Sequence, residues 1–515
     1  MIFKSKILRD TFLLTVMQLF LDMAALVLNV FITKQLGASA MGILSLIGSF
    51  LGLAGILSNG NAFLCTSRLV SEELGKKNGD PDSVLKYGIR LCIFLSIAVS
   101  VIIAVFAEII SLRFFSGVHL TSALRLMPFA LVSGAVSACL KGYFNACRRA
   151  AVTAVGDIAE FLIRCTVIVA MTLISGASEE EHVCRIMIWG IIAGNVVSLI
   201  LFSGAYVKLH ENRNGRCSLS FRQYTVFSLP IMGGSVLTAV LSSTNDALIP
   251  ICLRQYGDTA GDAFSKFGIF EAIVIPTLFF PSVVLCSMSG IIVSEAARAK
   301  AEKNKARIKA LTEKLNSWTL MFSVFAAAVL MRFGRPVGEL LGGGELAGKM
   351  ITVIAPVIPF IYMEIVLEAI IKGMGLQSFS SINYLAEYII RIAAVLILIP
   401  RIGFYGIVIS YYASNIIGNC ARFIKVTGVT GAGRKLCGTF LLPVVISAMT
   451  MSVLEMLLDL CDIAVNSIPE MVLYTVLWGS LFFAVFCSLG KVRLFDKTGE
   501  RVFVDTAQHM DKTVL

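Results

Sequence analysis

The chain has 515 residues, of which 57% are hydrophobic and only 15% charged, with a net charge of +11 and a mean hydropathy of +0.85. Soluble chains carry roughly 45–50% apolar and about 25% charged residues. Too little polar material is present to cover soluble domains, which excludes a soluble multidomain enzyme, a disordered chain and a secreted disulfide scaffold, and points to an all-α polytopic membrane protein.

In chain order, Lys4, Lys6 and Arg9 precede a first apolar run too long for a cleaved leader. A membrane span needs about 20 mostly apolar residues. Fourteen segments qualify: 11–33, 41–66, 87–110, 122–145, 153–175, 185–207, 224–252, 267–293, 316–331, 350–371, 381–400, 403–424, 437–459 and 469–489. The ninth is short and stops at Arg332. The runs are long and continuously apolar, which suits helices and not the alternating strands of a barrel. Pro230, Pro276 and Pro281 are candidate kinks in spans seven and eight.

Placing the N-terminus inside sorts most of the 44 Lys and Arg to one side, including Arg422 and its neighbours after span twelve. The positive-inside rule then predicts two cytoplasmic termini in a cell membrane. The +11 is thereby a topology signal, and no nucleic-acid partner is expected. Residues 295–314 read as one charged amphipathic connector at the lipid surface, and 211–223 as a linker. The thirteen Cys form no CxxC pair and lie mostly in apolar runs, as packing residues do.

The chain repeats internally. AEFLIR (159–164) in span five returns as AEYIIR (386–391) in span eleven. Pro128, Phe129, Ala138, Lys141 and Gly142 return as Pro359, Phe360, Ala369, Lys372 and Gly373, and Val70-Ser71-Glu72 returns as Val293-Ser294-Glu295. Each match places span n on span n+6. The expected organisation is an amino-terminal lobe (1–210), the linker 211–223, a carboxy-terminal lobe (224–426), an added helix pair (427–490) and a tail (491–515).

Three segments carry a family resemblance: SRLVSEELGKKN (67–78), LKGYFNACRRAAVTAVGDIAEFLIR (140–164) and IVIPTLFFPSVVLCSMSGIIVSEAARAKAEKN (273–304). They resemble the multidrug/oligosaccharidyl-lipid/polysaccharide flippase superfamily, in its stage V sporulation protein B and polysaccharide biosynthesis branch. The resemblance implies a fourteen-helix flippase for a lipid-linked oligosaccharide or peptidoglycan-type precursor, with membrane lipids and envelope-synthesis proteins as partners. Relatives that flip the peptidoglycan precursor carry arginines in the first helix; span one here has none, and offers Asp22 and Asn29.

A charge at the bilayer centre costs about 2.5–3.5 kcal/mol on insertion scales, so charges within spans mark partners or a cavity. Glu160 and Arg164 stand at i,i+4 with Asp157 on nearly the same face, and Glu387 and Arg391 repeat the pattern. Both pairs read either as structural ion pairs or as cavity groups whose guanidinium forks suit a diphosphate. Lys141 and Lys372 hold repeat-related positions beside them. Glu364, Glu368 and Lys372 form one stripe of span ten, either a pair within the bundle or cavity wall with carboxylates for ion coupling. Asn245 and Asp246 lie toward the outer end of span seven, and Asp22 sits at mid-depth in span one without an evident helical partner.

The expected substrate-binding set is therefore Arg164, Arg391, Glu160, Glu387, Lys141, Lys372, Asn245 and Asp246. Asp22, Glu364 and Glu368 are the coupling candidates for H+ or Na+, with no other cofactor expected. No Walker motif, HExxH or nucleophile elbow occurs in a suitable context, so no enzymatic activity is expected. Two rival readings remain: a cation-coupled multidrug exporter of the same superfamily, and a non-transporting scaffold for envelope synthesis.

Overall fold

The computed structural model describes residues 2–76, 79–115, 120–175, 180–209, 219–433, 436–460 and 467–494. The side chains of 2–14, and so of Lys4, Lys6 and Arg9, lie outside this description. So do most of the expected linker (211–218) and of the tail (495–515).

Among the described residues, twelve helical stretches are long and apolar enough to cross a membrane. The first, Thr15–Leu74, has 60 residues. At 1.5 Å per residue it is about 90 Å long, three times the hydrocarbon thickness. Gly37, with φ 86° and ψ 163°, breaks it in a region that only glycine adopts readily. We therefore number α1 (2–36) and α2 (38–59, continuing after a left-handed Gly60-Asn61 turn as Ala62–Leu74) separately. There follow α3 (Pro81–Phe114), α4 (Thr121–Ala146), α5 (Ala150–Ser175), α6 (Glu180–Leu209), α7 (Phe221–Tyr256), α8 (Ala260–Ala301), α9 (Lys305–Leu340), α10 (Gly344–Gly373) and α11 (Gln377–Ile402). The last three are α12 (Phe404–Thr430), α13 (Leu436–Leu460) and α14 (Ile468–Leu494). Although α12 has membrane length, it carries too much polarity to count among the twelve. The chain is a multi-pass membrane protein. The side bearing the start of α1 is called inner below.

Local chemistry sets the ends. Asp80 caps α3 by accepting from the backbone N–H groups of Asp82 and Ser83, with Pro81 at the first helical position. Ser220 and Gln223 form a capping box that starts α7. The two helices expected to kink behave differently. The first, α7, runs unbroken through Pro230 and Pro250, whereas α8 passes through a π segment at Phe270–Val274 and a 3-10 turn at Phe280–Ser282. Pro276 and Pro281 lack the N–H groups that a regular ladder there would need. The ninth span is longer than expected, because Arg332 stays within α9 and pairs with Glu455 of α13 at 3.1 Å. The 295–314 segment is not one helix. It is the end of α8 and the start of α9, joined by Arg307, whose guanidinium holds both Glu295 and Glu302 at 2.8 Å. The hydrogen bond from Arg298, reinforced by Arg307, lowers the Glu302 carboxyl below the usual carboxylate range.

Helices α3–α6 pack chiefly among themselves and α9–α12 do likewise, while residues 2–59 pack extensively on α7 and α8. Each of the two repeat-related glycines packs on a neighbouring helix backbone. Gly142 of α4 lies against the α2 backbone at Phe63, where an added Cβ would stand 2.7 Å from the Phe63 carbonyl oxygen. Gly373 of α10 packs on the α8 backbone, at 2.6 Å from the Val293 carbonyl oxygen, a position that the repeat matches to Val70 and not to Phe63. Apolar side chains on α3, such as Phe94, Ile97, Val101 and Val105, are more than half exposed at helical spacing, a lipid-facing stripe.

The α13–α14 pair docks on α9 through aromatic rings. Phe325 meets Trp478 and Phe482, each with ring centroids 5.3 Å apart, and the fully buried Trp478 donates to Thr450 at 3.1 Å. In a bilayer such association rests on packing more than on expulsion of water. Trp478→Ala should therefore cost about 2–3 kcal/mol, because lipid replaces part of the lost contact. Thermal unfolding in nanodiscs checks this, and an unchanged midpoint would show that the pair is held by other contacts.

Candidate functional site

The repeat-related helices α5 and α11 each have 26 residues, and Arg164 and Arg391 are each the fifteenth. Both therefore stand about 21 Å from the inner end of their helix, near mid-depth. Exposed Val155, Leu162 and Leu173 mark one side of α5 as lipid-facing. At 100° per residue, Glu160 and Arg164 lie on the opposite side. Exposed Ile382, Ile389 and Leu396 mark α11 in the same way, and Glu387 and Arg391 again lie opposite. Both arginines are thus turned into the bundle.

The two surroundings differ. In α5 the expected i,i+4 pair forms: Arg164 binds Glu160, with the side chains 31% and 25% exposed, while the Arg164 Nε is buried without a partner. One turn away Asp157 holds Lys141 of α4 at 2.7 Å, and the Lys141 ammonium lies 5.8 Å over the Phe63 ring. Alongside, Gly48, Gly52 and Gly55 of α2 have open space where a Cβ would sit. A cavity of about 150 Å³ between α2, α4 and α6 is lined by Gly55, Asn59, Gly134 and Asn195, among others. This side offers cations next to exposed backbone.

In α11 the expected Glu387–Arg391 pair does not form. Glu387 instead takes a bidentate fork from Arg422 of α12, at 2.5 and 2.8 Å. Arg422 also meets Glu364 at 3.3 Å and Glu368 at 3.4 Å, both from α10. Its ring neighbour Tyr384, 4.5 Å away, reaches Glu364, while Ser380 donates to Glu368. Lys372 pairs with Glu368 at 3.6 Å. The Glu364-Glu368-Lys372 stripe is therefore one wall of a buried centre whose middle is Arg422. Sequence reasoning assigned Arg422 to the inner loops, but it is fully buried. The available signal was polar: Ser410, Ser414, Asn415, Asn419 and Arg422 line the buried face of α12.

Freed from Glu387, Arg391 donates from Nε to Ser414 at 2.9 Å and stacks over the rings of Tyr411 (5.0 Å) and Tyr388 (5.5 Å). Its remaining guanidinium nitrogens make no hydrogen bond among the described residues. Asp246 of α7 and Glu271 of α8 lie within electrostatic reach of it. Asn245 and Asp246 are joined to the amino-terminal set, since Ser49 of α2 donates to Asp246 at 2.6 Å and Asn245 donates to it at 3.2 Å. Glu271, hidden in an apolar stretch, was missed by sequence reasoning. Asp22 is not without a partner: Gln18, one turn before it, donates at 2.8 Å. It joins neither centre. Asn29 ties α1 to the Ala272 carbonyl in the π segment of α8 at 3.0 Å.

A family described as Polysaccharide biosynthesis protein matches residues 7–291, more than half of the chain. The chain belongs to the polysaccharide biosynthesis protein family. Stage V sporulation protein B of Bacillus subtilis (strain 168) is 20% identical over 421 residues, 78% of this chain and 80% of that protein. Among solved structures, the lipid II flippase MurJ in an inward closed conformation is similar with a TM-score of 0.66 at 16% identity, covering 92% of this chain and 98% of that one. An inward-facing multidrug resistance MATE family transporter of the MOP superfamily is similar with a TM-score of 0.55 at 15% identity, over 81% and 99%. At such identities the likeness concerns the fold. This member of the polysaccharide biosynthesis protein family therefore has the fold of MOP-superfamily flippases and transporters.

Proposed function

We propose that the protein flips a lipid-linked oligosaccharide or peptidoglycan-type precursor across the cytoplasmic membrane by alternating access. In this reading α1–α6 and α7–α12 are the two lobes, both termini are cytoplasmic, and the precursor's lipid tail stays in the bilayer. The observation that carries the reading is the matched depth of Arg164 and Arg391, turned inward at mid-membrane with donors to spare. A guanidinium fork suits a diphosphate, and the open glycine face of α2 with Asn59 and Asn195 suits sugar hydroxyls. Lys141 adds positive charge on the amino-terminal side. The names of the relatives support the substrate class: one is a lipid II flippase and another a sporulation protein.

The test is reconstitution of the full chain in vesicles with a labelled lipid-linked sugar. Arg164→Ala should lower the translocation rate more than tenfold, and Arg164→Ala with Glu160→Gln, which leaves no unpaired carboxylate at mid-membrane, should show the same loss in a folded protein. If Arg164→Ala and Arg391→Ala, both folded, flip at the normal rate, the reading is wrong. A multidrug exporter is the second reading, favoured by the MATE fold and by the carboxylates Asp22, Glu364 and Glu368 as coupling sites for H+ or Na+. It predicts cation-driven efflux of amphipathic cations from the same vesicles with no lipid-linked sugar moved.

A further inference from the structure

The contact between the two lobes on the outer side is unusual in its chemistry. Most of that junction is backbone packing, as where Gly42 of α2 meets α8 at Phe264 and Gly268. Ser49 of α2 instead donates at 2.6 Å to Asp246 of α7, a carboxylate in the opposite lobe. The titratable and charged groups around Asp246 are few. From α8 comes Glu271; from α11 come Arg391 and Tyr388; from α12 comes Tyr411, which faces both Arg391 and Glu271. From α2 come no titratable groups at this point, only Ser49, which also lies 3.4 Å from Ser243.

Two carboxylates face one guanidinium, which leaves one negative charge uncompensated within the membrane. Such a charge is costly there, so the centre has affinity for one more monovalent cation. A vacant acceptor is also present. Asn245 is 7% exposed and its amide nitrogen already touches Asp246, yet its Oδ1 has no donor. A proton on the adjacent Asp246 carboxyl places an O–H donor beside that amide. A metal ion fits less well, because the fixed Arg391 cation repels it while a proton sits on the carboxyl oxygen itself.

The geometry points to Ser49, Asp246, Glu271 and Arg391 as a proton-operated latch that holds the outer side of the two lobes shut. In the deprotonated state the Ser49 hydroxyl donates to a full carboxylate. A proton taken from water onto the Asp246–Glu271 pair neutralises that acceptor, weakens the bond across the lobes and frees the outer halves of α2 and α7 to part. Loss of the proton to water restores the bond. Charge-assisted hydrogen bonds are about twice as strong as neutral ones, so protonation should raise the open population about fivefold. The inference rests on the alternating-access reading, but its test needs no substrate, so its failure leaves the flipping assay standing and the reverse also holds.

The experiment is hydrogen–deuterium exchange on the full chain in nanodiscs from about pH 8 to about pH 5, corrected for the intrinsic pH dependence of exchange. Peptides around Ser49 and Asp246 should lose protection as the pH falls. Asp246→Asn should exchange at every pH as the wild type does at low pH. Glu271→Gln should move the transition to lower pH, because it removes the negative neighbour that holds the proton. Ser49→Ala should be unprotected throughout. The proposal is overturned if the Asp246 and Glu271 variants keep the wild-type transition. It is also overturned if protection follows Na+ at constant pH.

Discussion

Arg422→Ala should destabilise the carboxy-terminal lobe by about 3–5 kcal/mol, the largest single effect expected on folding. The substitution leaves Glu364, Glu368 and Glu387 facing one another around an empty fork, with Lys372 still paired to Glu368. Thermal unfolding in nanodiscs and the yield of monodisperse protein both read the change. Arg422→Lys should recover only part of it, because an ammonium cannot make the bidentate contact with Glu387. Adding Glu364→Gln, Glu368→Gln and Glu387→Gln to Arg422→Met should recover more than the lysine does, since neutral partners remove the uncompensated charge. A folded Arg422→Ala protein with wild-type Tm would contradict the view that this centre organises α10, α11 and α12.

The second large effect concerns the crossing of α2 and α8. A Cβ on Gly42 would stand 1.9 Å from the Phe264 carbonyl oxygen, and one on Gly268 would stand 2.4 Å from the Gly42 backbone nitrogen. Neither neighbour is a side chain that can swing away. Gly42→Ala or Gly268→Ala must push the helices apart, at a cost of about 1–3 kcal/mol to the state in which they touch. If the lobes rock, the loss falls on the outward-closed state alone. The expected result is then a shift toward outward access, read as faster labelling of outer-side residues, together with slower flipping. Equal destabilisation with no change in access would mean that the crossing holds in every state.

The spans and the repeat were legible in the sequence because both are local. Hydropathy is summed over neighbours, and AEFLIR with AEYIIR needs no partner to be seen. The inward direction of Glu160, Arg164, Glu387 and Arg391 followed from the cost of turning a charge toward lipid, which also needs no known partner. What failed was pairing. The i,i+4 rule predicted Glu387 with Arg391, but Arg422 lies 35 residues on and offers two parallel hydrogen bonds, whereas a helical neighbour offers a single bent one. Arg422 was misplaced because a charge near the end of an apolar run reads as a loop residue. Its polar companions on α12 were the clue, and they speak only when the whole helix face is considered. Glu271 was lost in the opposite way, as one carboxylate in a long apolar stretch whose partners come from two other helices.

The attachments of α7 have a mechanical consequence. Its inner half is held to the amino-terminal lobe by Tyr224 against Thr66 (3.0 Å), Phe227 beneath Arg68 (4.9 Å) and Ser235 with Asn61 (2.9 Å). The helix also packs on α11 of the other lobe. Within that inner stretch lie Pro230, which lacks a backbone donor, and Gly233 and Gly234, where a Cβ would meet nothing within 4 Å. A rod attached to two separate bodies must take up their relative rotation along its own length. The curvature of this one helix therefore encodes the angle between the lobes, so a distance measured across it reports the position of both.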